Sequence, residues 1–191
     1  MKKLAVVLGL ILLGLAFLIV KYDVKIKLGA NEQKITGDNN FVDAHLNQSL
    51  PPFTLTDLNG NEISSQALTG KRVHINFWST SCKPCLEEFS ELNHLKAQAG
   101  DDVVFLAMAP DNAEKVSRTV HRRPFNYTLI PDAGQYLAQL GVTAYPKNFF
   151  VDRAGIVRRI TEGSQQKLDG ASLSLKADNF NVYRQILDAM K

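Results

Sequence analysis

A chain of 191 residues, 45% hydrophobic and 21% charged, has room for one core-burying domain and an extension. Its 22 Lys and Arg against 19 Asp and Glu leave a formal charge of +3, too small and too scattered to imply nucleic acid, and runs such as Arg122-Arg123 and Arg158-Arg159 read as solvated faces. Two cysteines three positions apart close too short a loop to serve as a structural framework, and four dispersed histidines (His45, His74, His94, His121) supply no zinc ligand set, which leaves redox chemistry.

Met1-Lys2-Lys3 opens the chain and is followed by an uncharged apolar run, Leu4 to Val20. At a rise of about 1.5 Å per residue that run spans about 26 Å, enough to cross a bilayer core with snorkelling flanks. Lys21 and Tyr22 mark an interface. The expectation is a transmembrane signal anchor over 1–21. A cleaved signal peptide is the competing reading, but Lys21 to Lys25 offers no pair of small residues for cleavage, and no cysteine follows for a lipid. A basic-then-apolar start places the domain outside the cytoplasm. Residues 22–49 are polar, with Gly37-Asp38-Asn39-Asn40 as a turn signal, and read as a linker.

A domain over 50–191 is expected to begin at Pro51-Pro52. Phe53 to Asp57 alternates, Asn59-Gly60 supplies a hairpin turn, and Glu62 to Ser64 returns. A short helical turn reaches Leu68 and ends at Gly70. Val73 to Trp78 is rich in β-branched and aromatic residues and reads as a strand. Pro84, tolerated in a first turn, and Leu86, Phe89, Leu92 and Leu95 at three-residue spacing predict a helix after the cysteines. Val103 to Ala109 reads as a buried strand, 112–122 and 135–140 as helices. Asn148 to Val151 and Ile156 to Ile160 are strands around the turn Asp152-Arg153-Ala154-Gly155. Phe180, Tyr183, Leu187 and Met190 share one face of a last helix. Strand–helix–strand alternation followed by a hairpin predicts an α/β fold, a mixed β-sheet with helices on both faces.

Cys82-Lys83-Pro84-Cys85 falls where a buried strand gives way to a helix. Free backbone N–H groups and the positive end of the helix dipole stabilise a thiolate on Cys82, and Lys83 pushes the same way. Cys82 is therefore the expected nucleophile, and Cys85, one turn in, the resolving thiol.

The stretch Asn76-Phe77-Trp78-Ser79-Thr80-Ser81-Cys82-Lys83-Pro84-Cys85, the segment Leu50 to Gly60 and the amino-terminal anchor together resemble the membrane-anchored thioredoxin-like thiol-disulfide oxidoreductases of bacteria, the TlpA, ResA and CcmG type. The similarity runs from about residue 50 to 163. It implies a thioredoxin-like fold with an N-terminal β-hairpin, and a cis-proline facing the cysteines, matched by Pro146 after Tyr145. It implies a proton-transfer or pKa-tuning role for Glu88, whose alternative is a helix-start carboxylate. Asn76 stands where ordinary thioredoxins keep a buried acid, six residues before the first cysteine. Client contact is implied for Trp78, Lys83, Pro84 and Tyr145. This sequence departs from the pattern at Ser81, where a tryptophan is usual, at Tyr145, where a small residue is common, and in extra length over 165–177. Pro146-Lys147-Asn148 does not match the Pro-Glu-Thr run of the cytochrome c maturation branch.

The function expected is protein-disulfide reduction at a bacterial cytoplasmic membrane, the domain facing the periplasm or cell exterior. A disulfide-bearing client and a membrane electron donor of the thiol-disulfide type are the expected partners. The cysteine pair is itself the redox centre, with no other cofactor and no metal expected. A disulfide oxidase or isomerase is the alternative. A thiol peroxidase would want Pro and Thr where Ile75 and Ser79 stand, and a copper chaperone would want a wider cysteine spacing.

Overall fold

The computed structural model describes residues 39–169 and 174–190. The expected anchor over 1–21, and the linker as far as residue 38, lie outside the described residues. Among those described, no helix is long and apolar enough to cross a membrane.

Helix α1 (Asn39–His45) comes first, inside the stretch expected as linker. It is fixed by one apolar anchor: Phe41 is 4% exposed, its ring 5.6 Å from that of Phe149 and 4.2 Å beneath the Lys147 ammonium. Residues 47–50 then run alongside 155–157, through Asn47 N–H to Val157 O, Val157 N–H to Gln48 O and Leu50 N–H to Gly155 O. Part of the expected linker is therefore folded onto the domain.

Strands β1 (Thr54–Thr56) and β2 (Glu62–Ser64) form the expected antiparallel hairpin. Its loop contains Gly60 at φ +85°, a conformation that L side chains resist. The Asp57 carboxylate closes the loop by accepting the N–H groups of Asn59 and Asn61. A short 3-10 turn, Gln66–Leu68, leads to β3 (Arg72–Phe77). There follow α2 (Lys83–Gln98), β4 (Val103–Met108), α3 (Ala113–Arg122), β5 (Thr128–Ile130) and α4 (Gly134–Gln139). After these come β6 (Lys147–Val151), β7 (Val157–Glu162), a hairpin of β8 (Gln166–Asp169) and β9 (Ser174–Ala177), and α5 (Asn179–Ala189).

The five-stranded sheet has the order β5-β4-β3-β6-β7. β4 is parallel to β3 and to β5, while β6 is antiparallel to β3 and to β7. Ile75 sits between Leu106 of β4 and Phe149 of β6. Because strand side chains alternate, the three central strands feed two cores. Val73, Ile75, Phe77, Leu106, Met108, Phe149 and Val151 meet Phe41 of α1 and Tyr136 and Leu137 of α4. On the other face Phe105, Ala107 and Phe150 meet Phe89, Leu92 and Leu95 of α2, Val116 of α3, and Tyr183 and Leu187 of α5. That double cover is what makes β3 buried at every position. The extra length over 165–177 is the β8–β9 hairpin, and β5 is a third strand that the sequence reading did not include.

Candidate active site

The cysteines sit at the carboxyl end of β3, the central strand, where the chain turns into α2. Cys82 is the N-cap of that sixteen-residue helix, with Pro84 in its first turn. Its Sγ accepts the Cys85 N–H at 3.2 Å, so one of the helix's unpaired donors points at sulfur. The two residues are joined as a disulfide, with Cα atoms 5.3 Å apart. Their environments differ sharply: Cys82 is half-buried, whereas Cys85 is 0% exposed within the core beneath α2. A partner sulfur can reach only the first. The preceding loop is held by Asp111, whose carboxylate accepts the Thr80 N–H at 2.8 Å and the Thr80 hydroxyl at 2.9 Å.

One helical turn beyond Cys85, Glu88 is 1% exposed. Burial pushes its carboxyl up to about 8, the Glu91 charge adds to this, and hydrogen bonds from Asn76 and Ser164 pull back. At neutral pH it is therefore mainly protonated. Asn76 Nδ2 donates to Oε1 at 2.9 Å, and the Ser164 hydroxyl donates to Oε2 at 3.4 Å, lying also 3.5 Å from the Pro84 carbonyl. Ser164 comes from the turn after β7 and brings a fourth segment to the cysteines.

Behind Glu88 a polar chain runs along the face of the sheet that α2 covers. Asn76 also donates to Asn148 Oδ1 at 2.9 Å, and that oxygen accepts from His74 Nε2 at 3.0 Å. His74 Nδ1 accepts from the Tyr127 hydroxyl at 3.0 Å, and Asn148 Nδ2 donates to the Tyr183 hydroxyl at 3.0 Å. His74 is fully buried and stacked on Phe150 at 4.5 Å. Desolvation holds its pKa down at about 3, so the ring is neutral and each nitrogen has one job. Groups this deep must satisfy one another, and apart from Asn76 Oδ1 these side chains do.

The remaining expected residues divide. Pro146 follows a cis peptide bond with Tyr145; Pro146 is buried and Tyr145 half-buried against both cores. Lys83 and Pro84 are exposed on the helix start, Lys83 lying 3.7 Å from Glu87. Trp78 is a correction. Expected to touch clients, it is 0% exposed, its ring 5.1 Å from that of Phe89 and 6.1 Å from that of Phe125. It shares strand parity with His74 and Asn76, and that parity points under α2 rather than outward. Asn148, Ser164 and Asp111 were not singled out by sequence. Asn148 lies in β6 two residues after Pro146, and polar residues on a doubly covered strand were the available signal.

Among the described residues no group of three or more His, Cys, Asp or Glu is placed to hold a metal ion. The arrangement can exchange disulfides: a reachable sulfur at a helix start, a shielded second sulfur, and a buried proton-bearing carboxyl one turn away.

The AhpC/TSA family model matches residues 46–160 of this chain. Thioredoxin-like protein YneN of Bacillus subtilis (strain 168) is 32% identical over 132 residues, which cover 64% of this chain and 78% of that protein. Thiol-disulfide oxidoreductase ResA of Bacillus anthracis is 32% identical over 130 residues, covering 65% and 75%. In structure, a thiol:disulfide interchange protein of the thioredoxin family from Chlorobium tepidum TLS superposes with a TM-score of 0.59 at 20% identity, over 75% of this chain and 95% of that one. A secreted Mycobacterium tuberculosis disulfide oxidoreductase does so at 0.58 and 22% identity, over 72% and 95%. The likenesses establish a thioredoxin-like α/β fold.

Proposed function

The chain belongs to the AhpC/TSA family and is a thiol-disulfide oxidoreductase, and we propose that it works in the reducing direction, on disulfides of client proteins outside the cytoplasm. The observation that carries the mechanism is the asymmetry of the pair: Cys82 half-buried at the helix start, Cys85 at 0% exposure behind it. In the reduced protein the Cys82 thiolate attacks one sulfur of a client disulfide and expels the other as a thiolate. The resulting mixed disulfide is broken when the Cys85 thiolate attacks the Cys82 sulfur and releases the first client thiol. Two electrons pass to the client, the two protons lost by the cysteines balance the two its thiols take up, and the pair is left as the disulfide.

Direction turns on how strongly a thiolate is stabilised, because a stabilised thiolate makes the disulfide more oxidising. Lys83 lies toward Glu87 and solvent, with 86% of its side chain exposed, which weakens its field at the sulfur. Glu88, one turn from Cys85, disfavours a thiolate whenever it ionises. Both support a reducing pair. Glu88 is the proton store of the cycle, adjacent to the thiol that must lose a proton to resolve the mixed disulfide.

The apolar run at 4–20 supports a membrane anchor with the domain facing the periplasm or cell exterior, and an exported reductase needs a thiol-disulfide donor in the membrane to restore it. The test is the equilibrium reduction potential against dithiothreitol and glutathione couples. A value near about −270 mV or lower is expected; one near about −120 mV would make the protein a disulfide donor.

A further inference from the structure

A groove of about 450 Å³ opens beside the cysteine loop. Thr80, two residues before Cys82, and Leu86, whose N–H is bonded to the Cys82 carbonyl, form its inner wall. Lys115, Arg118, Arg122 and Arg123 form its outer wall, all four exposed, and no carboxylate lines it. The pattern comes from helix geometry: 115, 118 and 122 fall on one stripe of α3, opposite Val116 and Val120, which pack inward. Past Arg122 and Arg123 a second groove of about 570 Å³ continues along Leu86, Ser90 and Pro124, with Glu87 as its one acid.

A chain with a formal charge of only +3 thus places four cations together next to its reactive sulfur. One of them is engaged on the helix surface, Arg118 with Glu114 at 3.1 Å, both largely exposed. So exposed a pair holds only weakly and yields readily to a better acceptor. The wall is also fixed relative to the site, because Asp111, just ahead of α3, grips Thr80 through two hydrogen bonds.

We infer that this groove is the docking surface for an acidic polypeptide segment flanking the client's disulfide, so that the protein selects disulfides with Asp and Glu on one side. The inference rests on the exchange activity proposed above. The occupant follows from charge complementarity: a cationic trough two residues from the nucleophile raises the local concentration of anionic chains and steers their encounter. Leu86 gives such a segment an apolar contact nearest the reacting sulfur.

The test uses the reduced full chain and three synthetic peptides with the same intramolecular disulfide, flanked by Asp and Glu, by Ser and Gly, or by Lys. The acidic peptide is expected to be reduced about ten-fold faster than the neutral one at low salt, and the lysine peptide more slowly. In about 1 M salt, where the Debye length is about 3 Å, the advantage should vanish. In Arg118→Gln/Arg122→Gln the acidic-to-neutral ratio should fall to about one at low salt. Equal rates for the three peptides, or a preference that survives the double substitution, overturn the assignment. So does binding to vesicles containing phosphatidylserine that depends on Arg118 and Arg122 without any peptide preference, since the groove would then serve a lipid surface. Failure to reduce even the neutral peptide would instead remove the exchange activity itself, and the groove's role with it.

Discussion

Replacing Glu88 with Gln isolates the consequence of burying a carboxyl beside the cysteines. In the oxidised protein neither sulfur titrates, so the pH dependence of stability reports other groups. The Glu88 pKa is about 8 folded and about 4.5 unfolded. The folded value is the higher, so its contribution is fully present below about 4.5 and is lost as pH rises through about 8. With about 1.4 kcal/mol per pH unit between those values, the wild-type protein loses about 2 kcal/mol from pH 6.5 to 8.5 on account of this one group. Gln is nearly isosteric, still accepts from Asn76, and cannot ionise. Urea unfolding at half-unit intervals, read as wild type minus Glu88→Gln, should show that loss as a slope. His74 runs the other way: its folded pKa of about 3 lies below the unfolded 6.5, so its contribution is complete above 6.5 and disappears as pH falls. It therefore stays out of the chosen window and cancels in the difference. Parallel curves for the two proteins would refute the argument, because Glu88 would then be as hydrated in the fold as in the unfolded chain.

The other predictions concern separate parts of the molecule. Cys85→Ser should trap a mixed disulfide with a model client on Cys82, visible on a non-reducing gel, while Cys82→Ser traps none; an adduct formed by Cys82→Ser would reverse the roles. Phe41→Ala empties a site that is 4% exposed between Phe149 and Lys147 and should cost about 3 kcal/mol in denaturant unfolding. A loss under about 0.5 kcal/mol would make α1 an ornament rather than part of the core. Asn148→Leu removes the acceptor of the His74 Nε2–H and one of the two acceptors of Asn76, leaving buried donors unpaired, and should cost about 3 kcal/mol. The same variant should also change the pH profile of thiol reactivity, because Asn76 loses the contact that steadies it against Glu88.

Elements with a strong period or a strong punctuation mark were legible. The opening hairpin followed from Asn59-Gly60, and α2 from Pro84 and its row of Leu86, Phe89, Leu92 and Leu95. Where the information is tertiary, reading stopped. Helix α1 has seven residues and one buried side chain whose burial is described, Phe41, so no period can emerge from it. β5 has three residues and is a strand because β4 offers it an edge. The redox motif was readable as a motif, but its support was not. His74 and Asn76 of β3 and Trp78 just past its end alternate in plain sight, yet which face they share depends on α2 and α5 covering it. Trp78 was accordingly expected at the surface by likeness, while strand parity placed it inside. Asn148 and Ser164 meet Asn76 and Glu88 across 72 and 76 residues of chain, which no local pattern encodes.

The burial of Trp78 has an optical consequence. It is the chain's single tryptophan, sealed from water and in the same apolar cluster as Cys85. Indole emission from the whole protein therefore has one source, close to the sulfurs. Its wavelength registers whether that compartment is dry, and a disulfide in the same cluster is a quencher its intensity can report. Oxidation and reduction of the cysteine pair should therefore be readable from intrinsic emission, with no label attached to the protein.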